Sequence, residues 1–146
     1  MGMYTEFHFN IELAKGTPQA VLDVLDWMAN GDRSESRPPD KPEHAFFDCD
    51  RWAHLFWMDS YYFPAKSHTQ YFYDDIAKQH FLCVRSNLKN YCNEILLFVD
   101  WIAPYIDPDL DGEMIGFYRY ENSNSPTILY HRREPYVVPE PKEPRP

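Results

Sequence analysis

A strand-then-helix pattern that occurs twice is the strongest constraint on this chain. Residues Tyr4 to Leu13 alternate, with Phe7, Phe9, Ile11 and Leu13 on one side and Glu6, His8, Asn10 and Glu12 on the other, the signature of a half-buried strand. Thr17 and Pro18 then read as a cap and first-turn proline, and Val21, Leu22, Leu25 and Met28 recur at helical spacing until Asn30 and Gly31. The order restarts with His80 to Ser86 as a strand and Tyr91 to Ile106 as a helix. An offset of 74 residues places Trp27 on Trp101, Asp26 on Asp100, Leu22 on Leu96 and Phe7 on Phe81.

Two hairpins complete the expectation. Residues Arg51 to Phe63 and Thr69 to Asp75 are aromatic-rich and flank Pro64 to Ser67, and Glu113 to Tyr120 and Thr127 to Arg133 flank the turn-rich Asn122 to Pro126. The resulting fold class is α+β: duplicated β-α-β-β units, residues 4–75 and 80–133, forming a mostly antiparallel six-stranded sheet or barrel with two helices. Residues 31–50 hold Gly31, Pro38, Pro39 and Pro42 among charges and form a long loop. Residues 134–146 hold five prolines and read as a flexible, polyproline-like tail beyond a single domain at 1–133.

Composition narrows the function classes. The 146 residues are 44% hydrophobic and 17% aromatic, enough for one packed core. No apolar run longer than Ile95 to Val99 interrupts the chain, so no membrane span is expected. The start, with Glu6 and His8 soon after Met1, lacks the basic-then-apolar order of an export signal, and the expected location is the cytoplasm. Cys49, Cys83 and Cys92 have no C-x-x-C spacing and read as reduced thiols. A formal charge of −9 argues against direct contact with a nucleic-acid backbone, which is bound through Lys and Arg. It fits a protein partner instead, including a basic or nucleic-acid-binding one.

Aromatic residues crowd the hairpins. Trp52, Trp57, Tyr61, Tyr62, Tyr71, Tyr73, Tyr118, Tyr120 and Tyr130 cannot all face one core if the strands alternate, so the candidate binding residues are Trp57, Tyr61, Tyr62, Tyr71, Tyr73, Tyr118, Tyr120 and Tyr130. Arg119 and His131, with Arg132 and Arg133, could serve a phosphate if the tyrosines stack on a nucleobase. Against this stands the reading that a sheet covered on both sides uses every aromatic as core. An exposed aromatic strand edge would also suit a homodimer.

No cofactor or metal is called for. His44, Asp48, Cys49, Asp50 and His54 match no zinc spacing. Asp107, Asp109, Asp111 and Glu113 lack the glycine and glutamate positions of a calcium loop. Five scattered glycines form no phosphate cradle, and pairing Cys92 with His80 or Cys49 with His54 is only what any such composition allows. The chain is expected not to be an enzyme.

Met3-Tyr4-Thr5-Glu6-Phe7-His8-Phe9, Asp59-Ser60-Tyr61-Tyr62-Phe63, Asn87-Leu88-Lys89-Asn90-Tyr91 and Gly116-Phe117-Tyr118-Arg119-Tyr120-Glu121 resemble a family of small bacteriophage-encoded proteins. That resemblance implies an accessory or anti-defence factor that binds a host protein in the host cytoplasm. The element order over residues 4–133 also resembles the duplicated effector-binding fold of gyrase-inhibitor-like and haem-binding SOUL proteins. That likeness implies a central cavity for flat or lipophilic ligands, the basis of an alternative reading as a small-ligand or nucleotide-binding barrel; no ligand residue carries over.

Overall fold

The computed structural model describes residues 3–31 and 39–131. Among them are five strands and two α-helices: β1 Thr5–Glu12, α1 Gln19–Asn30, β2 Gln70–Asp74, β3 Gln79–Leu88, α2 Glu94–Ile102, β4 Met114–Tyr120 and β5 Thr127–Tyr130. The strands form one sheet in the order β2-β3-β1-β4-β5, and all four pairings are antiparallel. In this order β3 lies between β2 and β1, and β1 lies between β3 and β4, so the two β-α-β crossovers interleave in the split β-α-β arrangement.

The alternation in β1 sets the core. Phe7, Phe9, Ile11 and Leu13 are buried, and α1 adds Val24, Leu25 and Met28 while α2 adds Ile95, Phe98, Val99 and Ile102 to the same cluster. Both helices therefore cover one face of the sheet. Helix α2 is apolar nearly all round because it is buried on more than one side. The 3₁₀ turn Ala45–Asp48 supplies Phe46 and Phe47, whose rings stand 5.4 Å from Phe98 and 4.8 Å from Trp101 respectively.

The α+β class and antiparallel sheet stand, but the sheet is open and has five strands, where six strands or a barrel were expected. The missing strand is Arg51 to Phe63. Its aromatic content suggests β structure, yet its first buried positions are Trp52, Leu55 and Phe56, a spacing of three and four that fits a helical turn, with Ser60 and Phe63 buried further on. A 3₁₀ turn at Trp52–His54 forms accordingly. Strand β2 pairs with β3 instead, across the gap between the two expected repeats. Asp74 makes that turn by accepting from the Ile76 and Ala77 amides at 2.8 and 3.1 Å.

Smaller departures have local causes. Thr17 does not cap α1, since its hydroxyl donates to the Ala14 carbonyl at 2.6 Å. Helix α2 starts only at Glu94, where the Asn90 carboxamide oxygen accepts from the Ile95 amide. It passes into a 3₁₀ turn, Ala103–Tyr105, because Pro104 has no N–H to continue the ladder. The proline-rich tail, Arg132 and Arg133, and residues 32–38 of the long loop lie outside the described residues.

Candidate functional site

The sheet face opposite the helices is built by the other register of the same strands. His8 stacks on Phe117 at 4.4 Å, and Phe72 stacks on Phe81 at 5.4 Å, with Asn10 and Arg85 exposed between these pairs. At one end of this face, residues 59–68 form a closed loop. Asp59 clamps its base by accepting from the Ser67 amide at 2.6 Å and hydroxyl at 3.0 Å. The loop is tied down along β3: Asn87 donates to the Ala65 carbonyl and Arg85 to the Lys66 carbonyl, while His68 and Arg85 exchange backbone hydrogen bonds.

Phe63 anchors the loop. It is buried but stands apart from the main core, with the Arg119 guanidinium 5.1 Å above its ring. Arg119 is itself held by Glu6 on the neighbouring strand at 2.7 Å. With base and anchor fixed, the tip presents Tyr61 at 105% exposure and Tyr62 at 57%. Such a loop, closed at its ends and packed by its own side chains, is the kind that often carries function.

More tyrosines gather beside it. The Tyr91 hydroxyl accepts from the Met3 amide at 3.0 Å, and Lys89 lies 5.7 Å from the Tyr4 ring. Tyr120 lies opposite Thr5 on β1, next to the Glu121 amide that donates to the Tyr4 carbonyl, and partial burial with Glu121, Tyr91 and Tyr62 holds its hydroxyl above the ordinary pKa. Lys66, Arg85, Lys89 and Arg119 all touch this end of the molecule, so it is less acidic than the chain as a whole.

The predicted site residues thus divide. Tyr61, Tyr62, Tyr120 and Arg119 come together at this tyrosine-rich end. Trp57 is half-buried and donates from its indole to the Ala29 carbonyl. Tyr71 packs on the core near α1, where burial and then Asp26 and Asp23 push its phenol well up. Tyr118 also packs against the core. Tyr73 lies beside His80 in a cleft of about 280 Å³ shared with Leu13, Lys15, Leu22 and Lys78. Tyr130 and His131 sit at the far end of β5. Sequence reasoning missed Tyr4, Phe63, Lys66, Lys89 and Tyr91; the quoted Asp59–Phe63 and Asn87–Tyr91 stretches held most of them, but nothing in those stretches said they meet.

Two of the other polar side chains, His44 and Asp107, serve as caps. His44 Nδ1 accepts from the Phe46 amide and its Nε2 lies 2.8 Å from Asp100, so it caps the first 3₁₀ turn. Asp107 caps another by accepting from the Asp109 amide. Among the described residues, no three His, Cys, Asp or Glu side chains converge as metal ligands, and no helix is long and apolar enough to cross a membrane. Set against family models, curated proteins and solved structures, the chain matches none.

His131 yields a pH prediction. It is 4% exposed, and burial lowers its pKa below the ordinary 6.5 although Asp111 and Asp107 pull the other way. The unfolded chain therefore takes up a proton that the native state resists. Stability is complete above about 6.5 and declines as pH falls through the depressed native value. His8 is lowered by burial in the same direction. Thermal melts between about pH 7.5 and pH 5.5 should show a falling Tm, and His131→Gln should flatten that slope. An unchanged slope would assign the dependence elsewhere.

Proposed function

We propose that this chain is a non-enzymatic protein-binding module whose contact surface is the tyrosine-rich end of the sheet. The observation that carries this reading is Tyr61, wholly exposed at the tip of a loop that Asp59, Phe63 and Asn87 hold in shape. A large amphipathic ring on a backbone already held in place has only two side-chain torsions to order on binding, the property that makes tyrosine common among dominant contact residues. Tyr62, Tyr91 and Tyr120 extend the surface around it. The resemblance of this loop sequence to small bacteriophage proteins supports a host protein as the partner, in the manner of an accessory or anti-defence factor acting in the host cytoplasm.

Affinity capture from host lysate tests the reading. The unaltered chain should retain a protein in stoichiometric amount, and the double variant Tyr61→Ala/Tyr62→Ala should weaken that complex more than about tenfold. Ile76→Ala, at the β2–β3 turn on the opposite end, serves as control and should bind as before. Retention of the partner by the double variant would overturn the surface assignment.

A small anionic ligand is the second reading, favoured by Lys15 and Lys78 around the cleft at Tyr73 and His80. It predicts a raised melting temperature with a nucleotide or metabolite phosphate, lost in Lys78→Ala. No shift across such a panel would count against it.

A further inference from the structure

The two sulfur atoms of Cys49 and Cys92 lie 2.6 Å apart. Non-bonded heavy atoms at optimal contact are about 3.5–4.0 Å apart, whereas a disulfide bond is about 2.05 Å. The thiols thus sit roughly half an ångström beyond bonding distance, from segments that nothing in the sequence spacing relates. Each backbone is already fixed: the Cys49 amide donates to the Phe46 carbonyl at 3.2 Å, and the Cys92 amide donates to the Glu94 carboxylate at 2.8 Å. The remaining gap between the sulfurs is about half an ångström, a distance that rotation of the two side chains can close.

We propose that Cys49 and Cys92 form a reversible intramolecular disulfide when the protein meets a low-molecular-weight disulfide such as oxidised glutathione. The two sulfurs differ in access, which sets the order of events. Cys92 is exposed and Cys49 is 1% exposed. Burial and the neighbouring Cys92 also push the Cys49 thiol up to about 12, so it is not the group that reacts first.

The Cys92 thiolate, its proton lost to solvent, attacks one sulfur of glutathione disulfide. The glutathione S–S bond breaks, a mixed disulfide forms on Cys92, and one glutathione thiolate leaves. Cys49 then attacks the Cys92 sulfur, gives its proton to solvent, and expels the second glutathione thiolate. Two protein thiols are oxidised and one glutathione disulfide is reduced to two glutathiones. Cys83, on the opposite face of the sheet, takes no part.

The cross-link would join the 3₁₀ segment that carries Phe46 and Phe47 to the loop before α2, which also holds Tyr91. Oxidation therefore stiffens the backbone under one edge of the tyrosine-rich end. The closed loop of residues 49–92 also restricts the unfolded chain, so the melting temperature should rise by about 5–10 °C.

The full-length chain is incubated with a glutathione redox buffer under native conditions, alkylated and weighed. The expected result is a chain that takes up an alkyl group only at Cys83, where the reduced chain is alkylated at Cys49, Cys83 and Cys92, together with a Cys49–Cys92 cross-linked peptide, both reversed by reductant. Cys83→Ser should behave like the unaltered protein, and Cys92→Ser should neither cross-link nor gain stability. Alkylation at all three cysteines, a cross-link through Cys83, or a persistent glutathione adduct on Cys92 would each overturn the proposal.

Discussion

Replacing Phe98 by alanine is expected to cost about 3–5 kcal/mol of stability, the range for truncating a buried aromatic. Phe98 is fully buried, and its ring stands 5.6 Å from Phe9, 5.4 Å from Phe46, 5.4 Å from Phe56 and 5.9 Å from Trp101. It therefore touches the central strand, the 3₁₀ turn before α2 in sequence and the segment leading to the tyrosine loop. No single neighbour can relax into the space without giving up another contact. Against a typical total of about 5–15 kcal/mol, the loss leaves the domain marginal at best. Urea unfolding should show a lower midpoint with the slope unchanged, and Phe98→Leu should recover much of the difference. Tyr61→Ala, at the exposed loop tip, should shift stability by no more than about 0.5 kcal/mol. A cost for Phe98→Ala below about 1.5 kcal/mol would mean that this aromatic cluster is not where the elements are joined.

The parts of this fold that are legible in the sequence are those with an uninterrupted period. Strand β1 alternates over its whole length because one face is core and the other is not, and α1 shows its helical stripe for the same reason. In both, the pattern and the element agree to within a residue or two. The offset that lays Trp27 on Trp101 also lays β1 on β3 and α1 on α2, so the strand-helix order is readable twice. The stretches after the two helices differ in length: 3₁₀ turns at Ala45–Asp48 and Trp52–His54 precede β2, whereas turns at Ala103–Tyr105 and Pro108–Leu110 fill the much shorter connection from α2 to β4. Aromatic composition outweighs spacing in residues 51–63, and that produces the extra expected strand. The pairing of β2 with β3 is hidden because the turn at Asp75–Lys78 looks like a boundary between repeats.

The candidate site is only half legible. Tyr61 and Tyr62 stand out by type, but their exposure depends on Phe63 turning inward beneath Arg119, and on Glu6 holding Arg119 from another strand. Those contacts link residues far apart in sequence, and no local pattern encodes them. Tyr71 and Tyr118 carry the same chemistry and end as packing, because register decides which face an aromatic takes, and Trp57 is drawn to α1 by its indole bond to the Ala29 carbonyl. The Cys49–Cys92 contact is equally invisible, since it arises only when the first 3₁₀ turn docks beside the start of α2.

Gly116→Ala is the substitution expected to do most damage for its size. Gly116 lies opposite Phe9 in the β1–β4 pairing and opposite Leu129 in β5, next to the register irregularity at Met114. There the two backbones approach so closely that a Cβ at Gly116 would meet the His8 carbonyl oxygen at 2.1 Å and the Phe9 Cα at 2.9 Å. Both obstacles are main chain of the central strand and cannot rotate away. Strand β4 would have to move off β1, taking with it the Glu6–Arg119 pair, the support for Phe63, and the platform under Tyr120. The cost should exceed the usual 1–3 kcal/mol of overpacking and appear as lost soluble yield and a non-cooperative melt. Gly16→Ala provides the comparison: Gly16 has φ +88 but open space around it, so only backbone strain of about 1–2 kcal/mol applies and the fold should survive. If Gly116→Ala instead melts like the unaltered protein, β4 does not pair with β1 in this register. The tyrosine-rich end would then lose the strand that positions Arg119 and Tyr120.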